Sequence, residues 1–200
     1  MFYETSTNDH GLKFNPFKAI VAPRPIGWIS TLDAEGRPNL APYSFFNAVG
    51  DAPPMVMFSS SGHKDSVSNV EATGEFVCNL VSFALRDAMN ASSAPLPHGE
   101  SEFERAGLEM APCKLVKAPR VAAAPAALEC KALQIIRPTA LDGIATNSWI
   151  VLGQVVAVHI DDAFVKDGRL DMTGVQHLSR LGYMDYAAVT EVFELERPKA

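Results

Sequence analysis

The sequence predicts a mainly β chain, folded as a closed antiparallel barrel with a few short helices. Three observations lead there. Six or more short runs are rich in β-branched and aromatic residues, turn-forming residues separate them, and helical spacing is confined to brief stretches. A doubly wound sheet requires a full helix after nearly every strand, and the spacing leaves no room for that.

The first eighteen residues are polar with isolated aromatics, and read as an N-terminal arm over 1–17 that packs on one domain over 18–197. From Ile20 the pattern changes. AIVAPRPIGWISTL and RPNLAPYSFFNAV flank DAEG, whose glycine suits positive φ, and together they read as a β-hairpin. PMVMFSS is a third extended run after the turn-forming DAPP. GHKDSVSNVEATG has helical spacing through Val67 and Val70 with a glycine stop, and EFVCNLV is another strand. Over 84–104, ALRDAMNASSAPLPHGESEFE reads as a short helix, a Pro/Ser/Gly loop and a second helical turn, an insertion over a site or at a subunit contact. ALECKALQIIRP and NSWIVLGQVVAVHI are strongly β-like, the latter apolar on both faces except at Gln154 and His159, which fits a barrel or an interface. FVKDGRLD forms a hairpin with Asp-Gly at its tip, QHLSRLGYMDY reads as a helix end, and AAVTEVFELE reads as a final strand.

Totals narrow the function. A net charge of −6 on 200 residues, with scattered Lys and Arg, argues against a nucleic-acid binder, and isolated cations such as Arg24, Lys64, Arg137 and Arg180 suit a small anion. The start has neither a secretory signal pattern nor an apolar run of membrane-spanning length, so the expected location is the cytoplasm. Cys78, Cys113 and Cys130 are far apart and odd in number, which predicts reduced thiols. The histidines, His10, His63, His98, His159 and His177, are isolated, and no metal site is expected.

FSSSGHKDSVSN, residues 58–69, carries the strongest local signal. Serine hydroxyls and free N–H groups at a helix N-terminus donate to a phosphate, and Lys64 adds a point charge; the same residues also make an ordinary helix N-cap at Asp65 or Ser66. In APYSFFNAV, Tyr43, Phe45 and Phe46 alternate with Ser44 and Asn47, a strand able to hold a flat heteroaromatic ring by its face and its polar edge, or simply to fill a core. Arg24, between prolines, faces either an anion or a carboxylate partner, and Trp28 covers a ring or fills the core. His177, Arg180 and Tyr183 form either a surface element or one that reaches the site. GxGxxG, Walker, GxSxG and paired-histidine signatures are missing from the sequence.

RPIGWISTLDAEGRPNLAPYSFFNAVGDAPPMVMFSS, HKDSVSNVEATGEFVCNLV and RLGYMDY together resemble the flavin reductase-like family over roughly residues 18 to 197. The resemblance implies a split β-barrel, a Greek-key antiparallel barrel that binds FMN. It also implies an FMN-dependent oxidoreductase that takes hydride from NADH or NADPH and passes electrons to a partner monooxygenase or another acceptor. A carrier or flavin-delivery protein without a nicotinamide site is the alternative. It implies further that Ser44, Phe45, Phe46 and Asn47 meet the isoalloxazine, with Tyr43 on the same strand, and that Ser59, Ser60, Ser61, Lys64, Asp65 and Ser66 receive the phosphate. Arg24, Trp28, Arg180 and Tyr183 then border the flavin, and the assembly is a homodimer with the flavin near its interface.

Overall fold

The computed structural model describes residues 1–97 and 100–198; His98, one of the isolated histidines of the sequence, lies outside them. The structure is mainly β, 38% strand and 17% helix, with its largest sheet curled into an antiparallel half-barrel. A turn of helix, α1 (Phe17–Ile20), follows the arm and leads into β1 (Arg24–Pro25) and β2 (Gly27–Leu32). The long first run is broken there because the prolines leave it without the N–H groups of a continuous strand. β2 turns through DAEG into β3 (Pro38–Tyr43), where the Asp33 carboxylate accepts the N–H groups of Glu35 and Arg37 and Gly36 takes φ +83°.

β4 (Phe46–Asp51) and β5 (Pro54–Ser61) form the next hairpin, followed by α2 (Asp65–Thr73), which ends at Gly74 in the left-handed conformation, and β6 (Glu75–Asn79). The insertion supplies a 3-10 turn at Phe83–Leu85, α3 (Arg86–Ala91) and α4 (Glu102–Arg105), as the spacing predicted. Two short strands, β7 (Met110–Ala111) and β8 (Arg120–Val121), precede the long pair β9 (Ala126–Ile136) and β10 (Ser148–Ile160). After the Asp-Gly hairpin of β11 (Val165–Lys166) and β12 (Arg169–Leu170) come α5 (Met172–Val175), β13 (Leu178–Arg180) and β14 (Tyr186–Ala188).

Seven strands share one sheet in the order β3-β2-β6-β9-β10-β5-β4. Its two edge strands are consecutive in the chain, with only Ser44 and Phe45 between them. A two-residue link cannot cross a flat seven-stranded sheet whose neighbours lie about 4.8 Å apart, so the sheet must curl until its edges approach. Inside the curl, Ile29, Tyr43, Val56, Phe58, Phe76 and Val151 form the main core, with α2 covering one end through Val67 and Val70. Gly153 is required there, since a Cβ at that position would stand 2.4 Å from the Phe76 ring. A second core, with Trp28, Leu40, Met89, Phe103 and Leu178, joins the insertion to the three-stranded sheet β1-β13-β14.

Two expectations fail at the end of the chain. QHLSRLGYMDY is a strand and a turn, because Leu178 to Arg180 pair with β1 and β14 and Tyr183 takes φ +56°. AAVTEVFELE pairs only as far as Ala188, and Val192, Phe193 and Leu195 are exposed. Cys78 and Cys130 are buried and Cys113 half-buried, all three as free thiols. Among the described residues no helix is long and apolar enough to cross a membrane.

Candidate functional site

The site forms where the sheet edges meet. The Ser59 N–H donates to the Phe45 carbonyl at 2.8 Å, so the Ser44–Phe45 link lies beside the end of β5, and Phe46 pairs with Phe58. Strand alternation then sorts the serines. Ser60, in phase with Val56 and Phe58, points inward and is fully buried, and its hydroxyl donates to the Gly62 carbonyl at 2.9 Å. Ser59 and Ser61 fall on the opposite face, with Asn47 and Met57.

Gly62, at φ +96°, turns the chain from β5 into α2. Lys64, not Asp65 or Ser66, occupies the N-cap position; it is extended and contributes no side-chain cap. Its carbonyl instead accepts from Val67 and Ser68. Ser66 is buried, with its hydroxyl accepting from the Asn39 amide at 2.9 Å, and that amide and the one on Asn69 both reach Thr31. The Tyr43 hydroxyl joins the same network through Ser66 and Ser60, and burial raises its pKa while those two hydroxyls oppose the rise. The Tyr43 ring packs 4.9 Å from Phe58. This buried chain of polar groups fixes the start of α2 against the barrel.

What is left for a ligand is distinctive. Among the described residues, the hydroxyls of Ser44, Ser59 and Ser61 and the ammonium of Lys64 have no hydrogen-bond or ion-pair partner, and Asp65 is exposed without a side-chain hydrogen bond. The Asn47 side-chain Oδ1 accepts from the Ala48 N–H at 2.9 Å, which leaves its side-chain nitrogen free to donate. Tyr43, Lys64, Asp65 and Ser66 line a cavity of about 450 Å³ whose other wall is the Ser92–Leu96 loop. The insertion therefore does lie over the candidate segment. His63 stands edge-on to Trp149 at 4.7 Å, and Arg137, one of the isolated cations of the sequence, lies over that ring at 5.5 Å; Trp149 itself is not foreseen because it lies on a strand remote in sequence.

Trp28 is fully buried, and its indole N–H donates to Ser92 at 2.9 Å, so it presents no ring face outward. The Arg24 guanidinium is buried and donates to the carbonyls of Lys18, Val21 and Leu181, pinning α1 and the late turn together, with Nε left unpartnered. It also lies 5.8 Å from the centre of the half-exposed Phe45 ring, and Lys18, a cation that no sequence pattern marks out, lies at 6.0 Å. Arg180 pairs in register with Arg24 but bonds to Tyr186 and the Tyr183 carbonyl, while Tyr183 packs on Phe14 of the arm. The structure thus gathers Ser44, Phe45, Asn47, Ser59, Ser61, Lys64 and Asp65 around one seam, whereas Phe46, opposite Phe58, turns inward and packs against the main core. Trp28, Ser60, Ser66 and Arg24 form the frame beneath it.

Away from the seam, Cys113, Glu129 and His159 bring their donor atoms within 4.8 Å of one another. The buried Glu129 carboxylate already accepts the N–H groups of Lys114, Leu115 and Val116 and pairs with His159 at 2.5 Å, so it fastens that loop to the barrel.

A family model described as a flavin reductase like domain matches residues 21–177. An uncharacterized protein of Halalkalibacterium halodurans is 36% identical over 183 residues, covering 89% of this chain and 87% of its own. Nitrilotriacetate monooxygenase component B from Bacillus cereus superposes with a TM-score of 0.88 at 29% identity, covering 98% of both chains. The 2-nitrobenzoate 2-nitroreductase of Pseudomonas fluorescens does so with a TM-score of 0.85 at 28% identity, covering 99% of this chain and 96% of that one. The structural neighbours share the split-barrel fold.

Proposed function

The chain belongs to the flavin reductase-like family, and from that premise we propose that it holds one FMN at the seam and works in the cytoplasm as an NAD(P)H-dependent flavin oxidoreductase. The observation that carries this reading is the set of unpartnered donors at the end of β5 and the start of α2, next to an exposed aromatic and amide edge.

These groups fit the cofactor's two ends. Lys64, Ser59, Ser61 and the first-turn N–H groups of α2 present positive charge and hydrogen-bond donors to a phosphate. Phe45 offers apolar contact to the ring, and Ser44 and the free Asn47 amide meet its polar edge. Bound there, FMN would supply redox chemistry of the hydride-transfer kind. The chain orients the ring and sets its hydrogen bonding, and hydride transfer of this kind asks for no protein acid or base. Buried Ser60, Ser66, Asn39 and Tyr43 hold the phosphate end rigid, and Arg24 keeps α1 beside Phe45.

The outer surfaces of β4, β9 and β10 expose Val49, Leu133, Ile136, Val158 and Ile160, which a second copy of the chain would cover in a homodimer. Similarity to a monooxygenase component supports an electron-accepting partner enzyme. The test is the visible spectrum of FMN-loaded protein without oxygen, before and after NADH and then NADPH. Bleaching by either nucleotide supports the reductase. Persistent flavin bands favour a carrier without a nicotinamide site, and failure to take up FMN overturns the reading.

A further inference from the structure

A second cavity, of about 350 Å³, opens between the 3-10 turn with α3 and the β13–β14 hairpin. No residue of the Ser44–Asn47 link or the Ser59–Ser66 segment lines it. Its apolar part comes from Met89, Leu178 and Ala188, with the rings of Phe83 and Tyr186 at its sides. Met89 and Leu178 are buried in the second core, so this wall is rigid.

Charge at the cavity is unbalanced. Arg180 lies over Tyr186 with its guanidinium carbon 4.4 Å from the ring centre, and it donates to the Tyr186 hydroxyl and, at 2.6 Å, to the Tyr183 carbonyl. Those partners are neutral, and among the described residues no carboxylate pairs with Arg180. Its register partner Arg24 is likewise held only by carbonyls, so two guanidinium groups sit on adjacent strands without a counter-charge. Burial first, and then the nearby Arg180 charge, lower the Arg24 pKa, a sign that the two cations feel each other. Across the cavity, Arg86 lies 4.2 Å from the Phe83 ring centre; its acid partner Asp87, at 3.3 Å, is 86% exposed and therefore well screened. Two fixed cations face one solvated acid over an apolar floor.

We propose that this cavity binds a small organic monocarboxylate with a flat apolar body, its carboxylate on Arg180 and its body between the Phe83 and Tyr186 rings. The planar guanidinium matches a carboxylate by two parallel hydrogen bonds, and the volume, at the low end of ligand pockets, suits a single ring. Such a site goes beyond the flavin reading and stands independently of it.

Ligand-observed NMR on the full chain, with and without FMN, tests this, using benzoate as probe and benzamide as its neutral analogue. Benzoate should bind saturably in both states, at least tenfold more tightly than benzamide. R180M should weaken it at least tenfold, and A188L, which adds side-chain volume on the cavity face of β14 and leaves Arg180 in place, should do the same while the fold is retained. K64A should leave benzoate binding unchanged. Absence of saturable benzoate binding, equal binding of benzamide, displacement of benzoate by FMN, or unchanged affinity in both R180M and A188L would each overturn the proposal.

Discussion

Replacing Lys64 with alanine separates a phosphate ligand from an ordinary surface lysine. The ammonium has no partner in the unliganded chain, and Lys64 caps α2 through its backbone alone, so the substitution removes no protein contact. Stability should therefore stay within about 0.5 kcal/mol of the parent. A charge-assisted contact to an anion is worth about 1.5–3 kcal/mol. Because Lys64 is exposed and starts hydrated, the lower half of that range applies, about 1.5–2 kcal/mol, or a ten- to thirtyfold rise in the FMN dissociation constant. Quenching of FMN fluorescence on titration with protein measures it, at low and high salt. The parent should lose more affinity to salt than the variant, since only the parent carries the charge being screened. Equal FMN affinity in the two proteins, with equal melting temperatures, would remove Lys64 from the site and with it the charge on which the phosphate assignment rests.

Four further outcomes are expected. Gly62→Ala forces a side chain into the left-handed region at φ +96° and should cost about 1–2 kcal/mol in denaturant unfolding, with weaker FMN binding as the β5–α2 turn distorts. Gly153→Ala drives a Cβ against the Phe76 ring inside the barrel and should cost about 1–3 kcal/mol, read as a lower melting temperature. Arg24→Met frees the carbonyls of Lys18, Val21 and Leu181, and limited proteolysis should cut the arm faster in that variant. Burial pushes the Glu129 pKa up, but the Lys114 N–H, His159 and the N–H groups of Leu115 and Val116 together hold it below its ordinary value of 4.5. Its stabilisation is therefore complete above about pH 4.5 and lost as pH falls through the depressed folded value. Glu129→Gln should lower stability at pH 7 by roughly 2 kcal/mol and flatten the acid limb of the stability curve.

Local chemistry made much of this fold legible. DAEG announced the first hairpin because Asp33 and Gly36 do work that few other residues can, and β5, α2 and β6 followed from a change of period marked by a glycine. The final run misled because Val192, Phe193 and Leu195 have strand composition, whereas pairing is decided by the whole sheet, and here it stops at Ala188. At the seam, residue types singled out the segments, whereas which side chains face outward depended on direction. Ser60 and Ser59 look alike in sequence, yet the phase set by Val56 and Phe58 turns one inward and the other outward, a signal that was readable in principle. The position of Trp28 depends on Ser92, 64 residues away, and nothing local foretells that bond.

The two-residue link keeps β3 and β4, the two edges of the seven-stranded sheet, beside each other, so the curl is held shut at the seam by the chain itself and by the Ser59 N–H to Phe45 carbonyl bond. Anything held across Ser44–Phe45 and Ser59 is then a clasp on the whole cylinder. Amide hydrogen exchange at Ser59, whose N–H donates to Phe45, should slow by the full free energy of occupancy, and so should exchange in the distant strands wherever opening of the barrel begins at this clasp.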